Sequence, residues 1–89
     1  MKGGFRVNSR IALIGIIVED ISASAEVNQI LHDFSRYIIG RMGVPYKEKN
    51  VNIISVAIDA DSNIINSLSG KLGMVKGISV KTMYAKEPK

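Results

Sequence analysis

Residues Ile11 to Val18 form an unbroken apolar run. Alternation along a strand would put Ile11, Leu13, Gly15 and Ile17 on one side and Ala12, Ile14, Ile16 and Val18 on the other. A strand apolar on both sides belongs in the middle of a sheet with cover above and below. The run is far too short to span a bilayer. Everything else in the chain has to supply neighbours and cover for this strand.

The remaining sequence provides five further elements. After the first strand, about Arg10 to Glu19, comes a helix with Ser22 or Ser24 as N-cap and Glu26 in its early turn. It carries Val27, Ile30, Leu31, Phe34 and Ile38 at helical spacing. A second strand is expected over Ile38 to Tyr46, and the polar Lys47-Glu48-Lys49-Asn50 segment turns it into a third, Val51 to Asp59. Asp61 can cap a second helix with the stripe Ile64, Ile65, Leu68 and Leu72, and Gly73 suits the left-handed position at its end. A fourth strand follows over Ile78 to Tyr84. Six elements in this order predict an α+β fold of the ferredoxin-like βαββαβ type: a four-stranded antiparallel sheet with two helices on one face. The domain reading is a flexible leader over 1–9, a single ferredoxin-like domain over 10–84 and a basic tail over 85–89.

Such a fold leaves one sheet face bare. If Ile54, Val56 and Ile58 face the helices, the bare side carries Ile11, Leu13, Ile17, Ile53 and Ala57. An apolar patch of this kind marks an interface, so Leu13, Ile17, Ile53 and Ala57 are expected between subunits of a homo-oligomer, a dimer or a tetramer. With 89 residues the chain sits near the lower end of what buries a self-sufficient core, which points the same way.

Charge and residue types narrow the function. The net charge of +4 collects at the ends, in Lys2, Arg6 and Arg10 and in Lys81, Lys86 and Lys89, while the interior holds six basic against seven acidic residues. A face built to grip phosphates would be basic throughout. The first and third strands also lack the aromatics on which an RNA-binding sheet stacks bases. Gly70-Lys71-Leu72-Gly73 lacks the full spacing of a phosphate-binding loop and falls at a helix end. Without cysteine there is no disulfide, thiolate site or cysteine nucleophile. The expected location is the cytoplasm, with no membrane association and no direct sequence-specific nucleic-acid binding.

The second strand is the unusual one. In Ile38-Ile39-Gly40-Arg41-Met42-Gly43-Val44-Pro45-Tyr46, the glycines signal a bulge or a close approach and the proline a sheet edge. Arg41 stands between Gly40 and Gly43, and its planar fork suits a carboxylate, a phosphate or an acidic neighbour across an interface. Simple alternation from Ile39 sends Arg41 to the open side of the sheet. Glu19 and Asp20, at the end of the first strand, either stabilise the following helix N-terminus or join a ligand site. His32 is the sole histidine, one turn after Asn28, and is the secondary candidate for a metal shared between subunits. No catalytic residue emerges, because the sequence offers no acid, base or nucleophile cluster, and the cofactor is left unassigned.

Four ordered blocks also carry a family likeness: Ile16-Ile17-Val18-Glu19-Asp20, Val27-Asn28-Gln29-Ile30-Leu31-His32, Ile39-Gly40-Arg41-Met42-Gly43-Val44-Pro45-Tyr46, and Leu68-Ser69-Gly70-Lys71-Leu72-Gly73. Over about residues 10 to 83 the chain resembles the iron-only hydrogenase system regulator family. That family is similar in fold to ACT domains and to the C-terminal domain of the nickel-responsive regulator, oligomeric modules that bind amino acids or metals at subunit interfaces. The resemblance implies a hydrogenase-associated regulatory role. The chain lacks the cysteine and additional histidines of the nickel site, and its short leader does not supply a ribbon-helix-helix. The expected protein is therefore a small oligomeric, ACT-like sensing module, not an enzyme, that binds a small ligand, or secondarily a metal, near Arg41, Gly40, Gly43, Glu19 and Asp20. A structural adaptor and a small dimeric ferredoxin-like enzyme are the alternatives.

Overall fold

A computed structural model describes residues 9–86. The strands are β1 (Arg10–Val18), β2 (Ile38–Tyr46), β3 (Val51–Ala60) and β4 (Ile78–Tyr84), and the helices are α1 (Ser24–Asp33) and α2 (Ser62–Gly73). The strands form one antiparallel sheet in the order β2-β3-β1-β4. The doubly apolar β1 lies in the interior, as its composition demands, and the proline-containing β2 lies at an edge. The expected ferredoxin-like architecture is the observed one. The expected leader, apart from Ser9, lies outside the described residues, as do residues 87–89 of the tail. Ala85, at the start of that tail, donates its N–H to the Ile11 carbonyl at 2.9 Å and so continues the β1–β4 ladder.

The two faces of the sheet differ sharply. Ala12, Ile14, Ile16 and Val18 of β1 and Ile54, Val56, Ile58 and Ala60 of β3 are buried beneath the helices. Val27 and Leu31 of α1 and Ile65, Leu68 and Leu72 of α2 close over them. Each of these large side chains contributes roughly 1.5–3 kcal/mol by leaving water. The register pairs Ile14 with Val56 and Ile16 with Ile54, so the helix-facing layer is continuous across the central strands. On the other face the same register lines up Leu13 with Ala57 and Ile17 with Ile53.

Chain turns deviate from the sequence reading in instructive ways. Helix α1 begins one 3-10 turn later than the segment it follows, because Ile21–Ala23 is itself a 3-10 turn. The capping side chain is Asp20, which accepts from the Ser22 N–H, and neither Ser22 nor Ser24 caps α1. Asn50 takes the left-handed conformation (φ 56°) that closes the β2–β3 connection, a region asparagine tolerates better than most residues. Gly73 ends α2 as expected, but the left-handed glycine is Gly77, with φ 87°, because the chain runs through Met74 in the right-handed region before turning into β4.

Gly77 also joins two connections. Its carbonyl accepts from both Glu19 N–H (2.8 Å) and Asp20 N–H (2.9 Å), tying the turn before β4 to the turn after β1. A Cβ on Gly77 would stand 2.5 Å from the Asp20 Cβ, closer than two carbons can approach. Gly77→Ala combines that clash with a positive φ and should cost more than about 1 kcal/mol of stability. Gly70, by contrast, lies in the exposed interior of α2 with open space at its Cβ position. Gly70→Ala should stabilise by roughly 0.5–1 kcal/mol. Urea denaturation of both variants checks the pair, and equal effects would show that the Gly77 junction bears no strain.

Candidate functional site

A bulge on β2 decides where Arg41 goes. Ile38 pairs with Ile58 and Arg41 with Val56, so three steps along β2 match two along β3, with the irregularity between Ile38 and Gly40. Both Ile58 and Val56 are fully buried under the helices. The extra residue turns Arg41 to the helix side, not the open side that uninterrupted alternation from Ile39 predicts. There its Nη2 donates to Asn28 Oδ1 on α1 at 2.7 Å.

The two glycines flanking Arg41 serve opposite faces. Gly43 pairs with the helix-facing Ile54, whereas Gly40 pairs with Ala57 on the open face. On the helix side the missing side chain leaves a cleft of about 310 Å³ between α1 and β2, lined by Asn28, Arg41, Gly43, Val44, Pro45, Asn52 and Ile54. No atom lies within 4 Å of where a Gly43 Cβ would sit, so the opening is free space. Asn52 on β3 donates through Nδ2 to Ser24 Oγ at 3.1 Å, anchoring the start of α1 to the sheet beside the cleft. A second depression, on the open side, is lined by Leu13, Gly40, Arg41, Met42, Ser55 and Ala57, so Arg41 borders both openings.

The open face itself is apolar and uncovered in the single chain. Leu13, Ile17 and Ile53 are 41%, 42% and 44% exposed, and Met42 and Met83 are each 65% exposed. Ala57 is half-buried among them. Met83 pairs with Leu13, while the row through Met42 runs by way of Ser55 and Gly15 to Lys81, so a serine and a lysine interrupt the apolar face between the two methionines.

Glu19 and Asp20 stand elsewhere. Glu19 accepts from Ser79 Oγ at 2.7 Å, next to β4, while Arg41 is on β2 at the other edge of the sheet. Asp20 accepts from Ser22 through both its hydroxyl (2.7 Å) and its N–H (3.0 Å). These bonds hold its carboxyl below the usual carboxylate range, the hydroxyl having the larger effect. The two acids are thus engaged by the turns at the end of β1 and do not join the Arg41 cleft. His32 is exposed in the last turn of α1. Its helical neighbour Asn28 is committed to Arg41, and among the described residues no group of three or more histidine, cysteine, aspartate or glutamate side chains could hold a metal.

Asn28 and Asn52 of the cleft, and Gly77 at the separate Glu19–Asp20 turn, were not singled out by the sequence as candidate site residues. Asn28 was paired with His32 instead of Arg41. Asn52 carried a usable signal, because it occupies a helix-facing position in the Asn52, Ile54, Val56, Ile58 series where an apolar residue is the rule. Gly77 carried none that distinguished it from Gly73.

The profile of the TM1266-like family, described as "Iron-only hydrogenase system regulator, putative", matches residues 10–82. The chain belongs to this family. It is similar to the TM1266-like protein from Thermotoga maritima, itself described as uncharacterized, with 39% identity, a TM-score of 0.84 and coverage of 88% of this chain and 99% of that one. The ACT domain from the GTP pyrophosphokinase of Chlorobium tepidum is similar in fold, with 19% identity, a TM-score of 0.65 and coverage of 93% and 96%. A formyltetrahydrofolate deformylase from Pseudomonas putida KT2440 shares the fold at 10% identity and a TM-score of 0.58, over 82% of this chain and 28% of that chain. A search of curated proteins finds no match. The family description is that of a regulator, and the fold is ACT-like. Among the described residues no helix is long and apolar enough to cross a membrane.

Asp20 makes a pH prediction. A carboxyl whose folded-state pKa is depressed adds stability above its unfolded-state value, and that stability disappears as pH falls through the folded value. Denaturation midpoints should therefore drop on acidification below the ordinary carboxylate range, and Asp20→Asn should flatten part of the drop. An unchanged acid profile in the variant would mean that Asp20 caps without contributing.

Proposed function

We propose that the chain is a non-enzymatic regulatory module of the hydrogenase-associated family, assembled as a homo-oligomer through its open sheet face and responsive to a small ligand bound near Arg41. The observation that carries this reading is the division of labour between faces. Helices bury the centre of one side and leave a cleft at its β2 edge, held by Arg41 and Asn28, while the other side is uncovered and largely apolar. Leu13, Ile17, Ile53 and Ala57 form the centre of the proposed contact, with Met42 and Met83 beside them. Methionine suits such a surface because its unbranched thioether adapts to an irregular partner.

The family description supports regulation, and the ACT-like fold supports a module that works as part of an assembly. A metal is the second choice of ligand, with His32 supplying one ligand from each of several subunits. The non-enzymatic reading is supported by His32, the chain's sole histidine, standing exposed in the last turn of α1 and outside the cleft lining. Control of a target would then run through a partner protein or a ligand, not through direct sequence-specific grip on DNA.

The test is sedimentation of the full chain at micromolar concentration together with two charge substitutions. The wild type should sediment as a dimer or tetramer. Ile53→Asp should dissociate or unfold it, because an uncompensated charge in a buried contact costs about 3–5 kcal/mol. Met74→Asp, at a position 85% exposed outside the sheet face, should leave the assembly unchanged. A monomeric wild type, or an Ile53→Asp variant that assembles as well as the wild type, would defeat the proposed interface.

A further inference from the structure

We infer that the cleft between α1 and β2 takes a small carboxylic acid with an apolar body and no ammonium group, in preference to an amino acid or a phosphate. This rests on the reading that the Arg41 cleft is the ligand site, and it narrows what that site accepts.

The lining residues carry one formal charge, the Arg41 guanidinium. Asn28 takes a single Nη2 donor through its Oδ1, which holds the guanidinium against α1 and leaves the rest of the fork for an anion. The Asn28 Nδ2 group is a further donor at the same place. One cation with neutral donors suits a monoanion. A phosphate monoester or inorganic phosphate carries about −1.5 to −2 near neutrality and would leave charge uncompensated in this cleft. Pro45 on the rim also removes a backbone N–H that a phosphate site would use.

The lining holds no carboxylate to pair an ammonium. No aspartate or glutamate borders the cleft, and Asn52, having spent Nδ2 on Ser24, offers only its neutral Oδ1. An amino acid that placed its carboxylate on Arg41 would bring its ammonium close to the same guanidinium, a like charge with no carboxylate in the lining to offset it. Gly43, Ile54 and Pro45 supply apolar surface to the lining. At about 310 Å³ the cleft is at the small end of ligand sites, so the acid is short.

The experiment is a two-dimensional NMR titration of the full chain with 4-methylpentanoate, with leucine, which is the same skeleton bearing an ammonium, and with inorganic phosphate at constant ionic strength. The acid should shift the Asn28 side-chain amide and the Gly43 amide saturably, at least about tenfold tighter than leucine or phosphate, a ratio equivalent to about 1.4 kcal/mol. Arg41→Lys, which keeps the charge and loses the fork, should weaken the acid about tenfold or more. Gly43→Val fills the opening with a residue that favours strands and should abolish the response at an unchanged thermal midpoint. Should the valine disturb the fold, Gly43→Ala gives a graded version of the same loss. Retained binding in a folded Gly43 variant would overturn the inference, as would leucine or phosphate matching the acid. If leucine or phosphate saturates the cleft through Arg41 and the acid does not, this inference falls and the ligand site stands. Silence of these amides toward all three probes would remove both.

Discussion

A central strand that is apolar on both faces, with helices available for only one, sets the terms on which this protein can be built. β1 satisfies its backbone through β3 and β4 and buries Ala12, Ile14, Ile16 and Val18 under α1 and α2. The helices are spent in doing so. Ile11, Leu13 and Ile17 are then left on the opposite side by the geometry of alternation alone, whatever their role. An exposed apolar patch marks an interaction surface, so the proposed assembly follows from the fold as much as from the function.

The helix-covered face does a different job near its edge. There the sheet departs from regularity through one extra residue in β2, and a charged side chain is delivered to a place where alternation would put it on the other side. The bulge, the Arg41–Asn28 bond and the empty position at Gly43 are consequences of the same short segment. One face therefore offers broad apolar contact and the other a small charged cleft, separated by the thickness of a single sheet. A ligand under Arg41 and a subunit against Met42 would act on adjacent residues of one strand.

Much of this was readable from residue order. The apolar periodicities located all four strands and both helices, and the Ile54, Val56, Ile58 series assigned the helix-facing side of β3. Pro45 marked the edge. The glycines of β2 signalled an irregularity, but their number and spacing do not say which residue is the extra one, and a one-residue shift reverses every face beyond it. Arg41 was therefore singled out but assigned to the wrong side. Cap and turn details were hidden for a related reason: Asp20, Ser22 and Ser24 are all competent caps, and Gly73 and Gly77 are both competent at positive φ. Only the contact between Gly77 and the turn after β1 distinguishes them.

The strand order has a consequence for how the chain reaches its native state. β1 is surrounded by partners that occur much later in the sequence: Ile17 pairs with Ile53, and Leu13 pairs with Met83 about seventy positions further on. The most apolar segment therefore exists before either of its neighbours can shield it, and the loop closures that complete its sheet are long. Folding of this protein is governed by the wait for distant partners, and its apolar first strand is the segment most exposed to errant pairing during that wait.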